Sequence, residues 1–519
     1  MDEVSEFERQ RQANIERNRK LLASLNLNSL SNEISESIKQ EDEASKRKKS
    51  SSTTQKKTKR QKVEVQPIRR SRRLAGVSID DSDSKAREFE LEEDRRRRER
   101  EELEKLKTLR VDGDLSLLDL VKDQTVKSED GEDSSKLLEK FQKFLGNSKS
   151  FSIGDYFETI VKKDNSSKDV KKLREELGSK ELYTHFKPND IKLTKDRMTY
   201  ICFHPDIDRK LIIGGDSTGN LGIWNSENTD DVDILSFKLH GKNIAKLEFN
   251  MNDTTKVYSA SYDGSIRSID LRSMKSSQLF INDFDVGITD INYNNDNEMY
   301  YTTMQGQFSR IDLRAGDHSR RQVLRLSNKK IGGFTINPMN KNQIATASLD
   351  RTLKVWDLRT ATTCDWDEWD DNLETLHTVG VYDSRLSVSI VDWNRSGDLV
   401  CNGYDDTVNI FNLGEDISTK PKNFAIEGDL TPSHRIKHNC QTGRWVSILK
   451  ARWQQYTPDK EKFVIANMNK YFDVYDRDGH QLAHLSNPLV TNVPAVCNFH
   501  PTQNWLVGGG ASGKVYMFS

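Results

Sequence analysis

Seven short segments of the same pattern recur along the C-terminal two-thirds of this 519-residue sequence. Each alternates side-chain character and ends in an aromatic residue or isoleucine. The segments are Leu221–Trp224, Ile266–Ile269, Phe308–Ile311, Leu353–Trp356, Val408–Phe411, Phe472–Tyr475 and Val515–Phe518. Their last residues are 45, 42, 45, 55, 64 and 43 positions apart, and a period of about 40–45 residues is typical of a four-stranded propeller blade. We therefore predict an all-β fold, a seven-bladed WD-repeat β-propeller.

The spacing also predicts how the ring is elaborated and closed. The two longer steps indicate insertions near 361–380 and 414–444. Small-residue strands such as Ile344–Ser348 precede the repeated segments, and we expect them beside the crowded central channel. Because the last repeat ends on a third strand, we expect residues 181–191 to supply the missing fourth strand and remove the open sheet edges. The propeller domain is thus predicted at 181–519.

Residues 1–180 differ sharply in composition from the rest of the chain. All eight tryptophans follow residue 220, whereas Lys, Arg, Glu, Ser and Asp dominate the first 180 residues. Such a segment buries too little apolar surface to offset its ordering entropy, so we predict a charged, largely disordered region with short helices. Residues 5–26 form either a partner-docking helix or a solvated one, 86–110 a solvated charged helix, and 136–180 short helices that pack on the propeller.

A basic tract occupies residues 46–73 of this region. It holds thirteen Lys or Arg residues against one acid, Glu64. Such a tract is typical of a nuclear-import signal or of a flexible arm that binds phosphates, the alternative being a solvating tail. We expect a nuclear protein and select as arm residues Lys48, Lys49, Lys59, Arg60, Arg69, Arg70, Arg72 and Arg73.

Several classes of function are excluded by what the sequence lacks. The five cysteines form no CxxC pair, so we read them as reduced thiols that hold no zinc. We find no phosphate-binding loop, HExxH pair or GxSxG elbow, and therefore predict no catalytic residue, metal or cofactor. No signal peptide or membrane span is apparent, so we expect a soluble, intracellular protein without membrane contact. The acidic insertion Asp365–Asp371 leaves a reader of histone tails or other chromatin proteins as an alternative.

Cationic residues recur in the loops that enter the first strand of most blades. If these positions are equivalent in the ring, their charges converge on one rim and can hold a polyanion such as DNA. The alternative is surface charge scattered as on any soluble protein. The candidate DNA-binding residues are Arg197, Lys242, Lys329, Lys330, Arg385, Lys437 and Arg444, with Lys195 beside them.

Two repeats end in a motif that points to a protein partner. Ile269-Asp270-Leu271-Arg272 and Trp356-Asp357-Leu358-Arg359 resemble the WDxR box of propellers that act as substrate receptors of cullin-type ubiquitin ligases. The resemblance implies that Arg272 or Arg359 faces a ligase adaptor, and that the protein is a scaffold or receptor. The alternative is structural, with each arginine paired to a neighbouring acid, as Arg314 in a third copy suggests.

A longer resemblance covers nearly the whole chain. The stretch from His438 to Trp453, the ERQRQANIERN and RRSRRL segments and the seven repeats resemble the changed-mutation-rate family of fungal nuclear WD-repeat proteins. That family is similar to the small subunit of the UV-damaged DNA-binding complex. The resemblance implies a nuclear protein that binds single- and double-stranded DNA, prefers UV-damaged DNA and acts in DNA metabolism and the damage response.

The same resemblance singles out Trp445. In the related subunit a Phe-Gln-His hairpin probes the lesion, and it falls near Gly443-Arg444-Trp445 in this sequence. That triplet is not reproduced here, but an aromatic ring can stack on bases and the adjacent arginine can clamp a phosphate. Alternatively, Trp445 closes its loop onto the blade.

Overall fold

The computed structural model describes residues 94–117, residue 120 and residues 169–519, except 103, 106, 283–285, 296, 316–320 and 365–372. The chain divides into two units, Met1–Leu91 and Glu92–Ser519, and all that follows concerns the second. The basic tract, the predicted helix at 5–26 and the acidic insertion Asp365–Asp371 lie outside the described residues.

Seven antiparallel sheets, blades I to VII, form a β-propeller and confirm the predicted fold. In chain order, the strands are Met198–Phe203, Leu211–Asp216, Asn220–Asn225 and Asp233–Lys238 in blade I; Ile244–Phe249, Lys256–Ser261, Ser265–Asp270 and Lys275–Ile281 in II; Ile288–Asn295, Glu298–Thr303, Gln307–Asp312 and Val323–Arg325 in III; Ile331–Ile336, Gln343–Ser348, Thr352–Thr363 and Glu374–Asp383 in IV; Val388–Trp393, Leu399–Gly403, Thr407–Phe411 and His434–Lys437 in V; Arg452–Trp453, Lys462–Ala466, Phe472–Asp476 and Gln481–Leu485 in VI; and Val496–Phe499, Leu506–Gly509 and Val515–Phe518 in VII. Each repeated segment identified in the sequence forms the third strand of its blade.

Blade VII is completed by the segment that precedes blade I, as the sequence predicted. Leu182 pairs antiparallel with Phe518, and Lys192 pairs with Lys514. The amide of Tyr183 donates to the carbonyl of Met517 at 2.7 Å. Blade VII is therefore completed by residues from both ends of the propeller, which covers the outer edge of its third strand.

The small-residue strands are second in their blades, and the expectation that they crowd the channel was wrong. The first strands of neighbouring blades lie against each other around the channel. A Cβ atom at Gly215 would lie 2.7 Å from the Cβ of Ile244 in blade II. Small residues are needed because adjacent blades approach closely at these positions.

The first predicted insertion extends blade IV, and the second extends blade V. The first lengthens the hairpin between Thr352–Thr363 and Glu374–Asp383. The second contains the short helix Gly414–Ser418 and then runs along blade IV, where the amide of Ile426 donates to the carbonyl of Val379 at 2.7 Å. It therefore ties blade V to blade IV.

Residues 109–117 form a strap along the outer edge of blade II. Leu115–Ser116 adds a fifth strand, with Leu115 opposite Ser276. Arg267, which is fully buried, donates hydrogen bonds to the carbonyls of Val111 at 2.5 Å and Gly113 at 2.9 Å. Part of the region before residue 180 thus folds with the propeller, although the boundary we placed at 180 stays a prediction.

One helix precedes the strap in the chain, and a second helix precedes the segment that completes blade VII. The predicted charged helix occupies 94–108, and its described side chains are exposed. The helix Asp169–Gly178 buries Leu173 and Leu177 against blade VI. All five cysteines are free and buried, as predicted. Among the described residues, no helix combines the length and apolar character needed to cross a membrane.

Candidate nucleic-acid interface

The predicted cationic residues lie on one face of the ring. The seven first strands surround the channel and share one direction, so the loops that enter them lie on a common side. We call this side, with the turns between second and third strands, the entry face. It carries Lys195, Arg197, Lys242, Lys329, Lys330, Arg385, Lys437 and Arg444.

None of these eight side chains forms an ion pair with a described carboxylate. Lys242, Lys329, Arg385 and Lys437 are exposed. The acids of the neighbouring turns are engaged locally: Asp350 accepts the amide of Thr352 at 2.9 Å, for example. The cations therefore remain available for phosphates, whereas several of the acids are held within their turns.

Two of the cations have structural contacts at the mouth of the channel. Arg197 is half-buried and donates to the carbonyl of Arg444 at 2.8 Å. The ammonium of Lys330, from blade IV, donates to the hydroxyl of Tyr262 in blade II at 2.7 Å and lies 4.6 Å from its ring centroid. These side chains link loops of different blades and are less free to bind DNA than the other six cations, which are exposed.

Residues 438–451 cross the entry face from blade V towards blade I, and we call them the crossing loop. On the blade V side, Asp406 accepts the amide of Cys440 at 3.1 Å, and Asn402 donates to the carbonyl of Leu449 at 2.8 Å. On the far side, the hydroxyl of Ser447 donates to the carbonyl of Met198. With Arg197 also holding it, the loop is fixed at both ends.

Trp445 projects from this fixed loop into solvent. Its side chain is 74% exposed, and the guanidinium of Arg444 lies 5.3 Å from its ring centroid. The neighbouring Val446 packs on the core of blades VI and VII instead. The interpretation in which Trp445 closes the loop onto the blade is therefore wrong, and an exposed aromatic on a rigid support is suited to stacking.

The entry face also holds residues that the sequence reasoning missed. Arg351 and Lys470 are exposed cations at turns between second and third strands, with φ of 77° and 72°. Six of the nine large apolar residues exposed among the described residues belong to this face: Met304, Leu349, Leu386, Trp445, Ile448 and Leu489. Aligning the turns as well as the entering loops would have found them.

Lys450 lies at the end of the crossing loop, half-buried at the channel mouth. Burial, with further repulsion from the positive charges of Arg452, Lys330 and Lys246, lowers the pKa of its amine to about 7. The entry face therefore holds a lysine whose charge changes near neutral pH.

The WDxR-like arginines lie away from the entry face, where third strands end. Arg359 forms a two-point pair with Asp357, with nitrogen–oxygen distances of 2.9 and 2.7 Å, and this pairing lowers the pKa of Asp357 despite the opposing effect of burial. Arg314 pairs with Asp312 in the same way. The structural alternative accounts for these two copies, while the side chain of Arg272 is exposed.

One group of side chains has the spacing of metal ligands. Asp476, Asp478 and His480 place ligand atoms within 4.8 Å of one another. However, the ammonium of Lys460 lies 2.8 Å from Asp476 and 2.6 Å from Asp478. The lysine ammonium already binds both carboxylates, so the donor set does not indicate a cation site.

Comparison with known proteins agrees with the propeller architecture and identifies relatives that align with nearly the whole chain. Residues 321–357 match the family described as WD domain, G-beta repeat. The chain is 42% identical to the DNA damage-binding protein CMR1 of Meyerozyma guilliermondii, over 99% of this chain and 100% of the relative. Proteins of the same name from Scheffersomyces stipitis and Candida albicans are 42% and 38% identical, covering 100% and 99% of this chain and the full length of each relative.

Proposed function

Because this chain belongs to the family of DNA damage-binding CMR1 proteins, we propose that it binds DNA through the entry face and prefers damaged duplexes, including those damaged by UV light. The name of the relatives supports the general role. The single observation that carries the assignment to this face is the exposed Trp445 on its fixed loop, on the same face as cations that have no ion-pair partner among the described carboxylates. The protein acts by binding, as a nuclear component of DNA metabolism and the damage response.

The face offers the two components that lesion recognition requires. The exposed lysines and arginines supply attraction that is independent of sequence and holds the phosphate backbone. Damaged sites cost less free energy to unstack, so an aromatic or apolar side chain enters them more readily than intact duplex. Trp445 is the aromatic side chain, and Ile448 and Leu489 are exposed apolar residues on the same face.

The phosphate-binding step is tested with a triple variant. Replacing Lys242, Arg385 and Lys437 by Gln should weaken binding to intact and irradiated duplex alike and reduce the slope of log affinity against log salt by up to about 3. A matched variant replaces three exposed lysines elsewhere on the surface by Gln, namely Lys172, Lys275 and Lys422. Equal slopes for the two variants in a fluorescence-anisotropy salt series would refute the assignment to this face.

The damage-recognition step is tested separately at Trp445. Trp445→Ala should bring the ratio of affinities for irradiated and intact duplex close to one, because stacking is lost while the phosphate contacts remain. Trp445→Phe keeps a stacking ring and should retain most of the preference. If Trp445→Ala preserves the ratio, this residue does not probe the lesion.

Nuclear localisation rests on the basic tract at 46–73. We propose that its arm residues act as the import signal and add phosphate contacts. A fluorescent fusion in which Lys48, Lys49, Lys59 and Arg60 are replaced by Gln should spread into the cytoplasm, whereas the triple entry-face variant should stay nuclear. Nuclear accumulation of the arm variant would reject this signal.

Protein partners are a separate proposal. Of the two WDxR-like arginines, Arg272 is exposed at the end of a third strand and keeps the ligase-adaptor or scaffold alternative open, whereas Arg359 is paired with Asp357. Affinity purification of Arg272→Ala should lose an adaptor if this role is real. Recovery of the same adaptor, chromatin proteins and histones as the unchanged protein would reject a partner site at this position.

A further inference from the structure

The central channel contains a pocket that the DNA-binding proposal does not use. Its volume is about 610 Å³, enough for a mononucleotide, and it opens among the turns between first and second strands. These turns lie on the side opposite the entry face. The walls come from the first strands and following turns of all seven blades.

Charged side chains of the first strands meet in this pocket. The ammonium of Lys246 lies 3.2 Å from Asp290 and 3.5 Å from Glu248. The guanidinium of Arg452 lies 3.6 Å from Asp392. Burial of so many charges is costly unless each is paired, so atoms that lack partners indicate where a ligand would bind.

Two charged side chains of the pocket each have an atom without a hydrogen-bond partner in the described part of the chain. The side chain of Arg452 is 8% exposed, and its Nη2 atom has no hydrogen-bond partner among the described residues. The Oε2 atom of Glu248 is buried with no partner closer than the Lys246 ammonium at 3.5 Å. The pocket lining therefore contains a donor atom of Arg452 without a described hydrogen-bond partner, and a carboxylate oxygen of Glu248 held only by the Lys246 ammonium at 3.5 Å.

Aromatic rings and further cations complete the lining. Tyr200 lies 5.9 Å from the guanidinium of Arg452, and Tyr293 also lines the pocket. Nearer the surface turns, Arg395 and Lys341 contribute positive charge. This charge opposes a basic peptide, and a free phosphate would leave the Glu248 acceptor unused. A flat ring whose edge both donates and accepts, joined to an anionic group, satisfies all of these features.

We propose that the channel pocket binds a guanine nucleotide. Glu248 accepts hydrogen bonds from the N1–H and N2–H groups of the base, and Arg452 donates to its O6 and N7 acceptors, a pairing that arginine makes readily with guanine. The tyrosines flank the ring by stacking. Arg395 and Lys341 attract the phosphate. The site lies apart from the entry face and does not depend on DNA binding there.

The test is calorimetric titration of the full chain with GMP, AMP, inorganic phosphate and a lysine-rich peptide in separate experiments. GMP should bind saturably and at least about tenfold more tightly than AMP, since adenine presents a donor where guanine has O6 and lacks the N1–H and N2–H donors. Inorganic phosphate and the peptide should bind weakly or not at all. Absence of saturation by GMP at millimolar concentration, equal binding of AMP, or preference for the peptide would each overturn the proposal.

Matched variants separate the pocket from the rest of the molecule. Glu248→Gln should weaken GMP by about tenfold and leave AMP within about twofold, whereas Glu298→Gln, at the start of a second strand, should change neither. Both variants should keep duplex-DNA affinity, which shows that the ring is folded. The Trp445→Ala variant should bind GMP normally. If Glu248→Gln retains DNA binding and full GMP affinity, the assigned contact is wrong even if the entry-face proposal holds.

Discussion

Arg267 offers the sharpest test of how the strap is held. Its guanidinium is fully buried and bonds the carbonyls of Val111 and Gly113. Replacement by Met keeps an unbranched apolar stem in the strand Ser265–Asp270 but removes both hydrogen bonds. We expect the strap to detach locally while the blade stays folded.

The size of the effect follows from these contacts. A hydrogen bond from a charged group contributes roughly 1.5–3 kcal/mol, so the loss of two should weaken docking by about 3 kcal/mol or more. That corresponds to a local opening equilibrium raised at least about 100-fold. Other contacts of the strap remain, namely the pairing of Leu115–Ser116, the buried Leu117, and hydrogen bonds that join Arg110 to Asp263 and Gly113 and Asp114 to Gln278. Two paired residues do not hold a strand alone, and the two bonds to Gln278 are exposed to water, so they do not compensate for the loss of the buried guanidinium.

Amide hydrogen exchange measures this opening directly. The amide of Leu117 donates to the carbonyl of Met274 at 3.1 Å, so its exchange reports release of the strap. In Arg267→Met it should exchange at least about 100-fold faster, while amides in the first two strands of blade II change little. Lys354 occupies the equivalent third-strand position in blade IV, which makes Lys354→Met the matched control.

Two results would refute this reasoning. Unchanged exchange at Leu117 in Arg267→Met would show that the guanidinium does not secure the strap. Equal acceleration throughout blade II would show that the variant destabilises the sheet as a whole, so that the strap is not a separately held unit.

Three further predictions concern charge and ring closure. Because the pKa of Lys450 is about 7 and a bound polyanion raises it, DNA affinity should fall as pH rises from 7 to 9, and Lys450→Gln should flatten that dependence in an anisotropy series. Burial lowers the pKa of His204 and of His500 to about 4, so the unfolded chain binds their protons first as pH falls below 6.5. The free energy of unfolding in urea should thus drop by about 3 kcal/mol per histidine between pH 6.5 and 4, and His204→Asn with His500→Asn should reduce the loss; an unchanged slope would contradict the burial effect. Leu182→Asp should lower the melting temperature by several degrees, because it buries a charge where the ring closes, whereas the exposed Thr184→Asp should not; equal effects would remove Leu182 from the closure.

The fold was predictable because each blade repeats the same two-residue alternation, at steps of 42–45 residues except where the two insertions lengthen them. Tyr475 and Phe518, for example, sit at equivalent positions although they are far apart in sequence. The strap was not predictable in this way. Its strand pairs with blade II through only two residues. It is also held by a buried arginine that bonds backbone carbonyls, and no pattern of side chains reveals such a contact.

The candidate site was predictable in part for the same reason. Loop positions such as Lys242 and Arg385 follow from the repeat, so their common face could be inferred. The exposure of Trp445 could not, because it depends on hydrogen bonds that hold the crossing loop to blades V and I. The partnerless atoms of Arg452 and Glu248 likewise arise from packing between blades, not from local sequence.

The two-ended construction of blade VII sets the order in which this molecule can be completed. The Lys192 and Lys514 pair joins positions about 320 residues apart, so no closed ring exists until the final strand has been synthesised. Six folded blades must therefore remain in an open arc with an uncovered sheet face at each end. Those apolar faces can associate with other nascent chains, which makes the interval before closure the period when the protein most needs a chaperone.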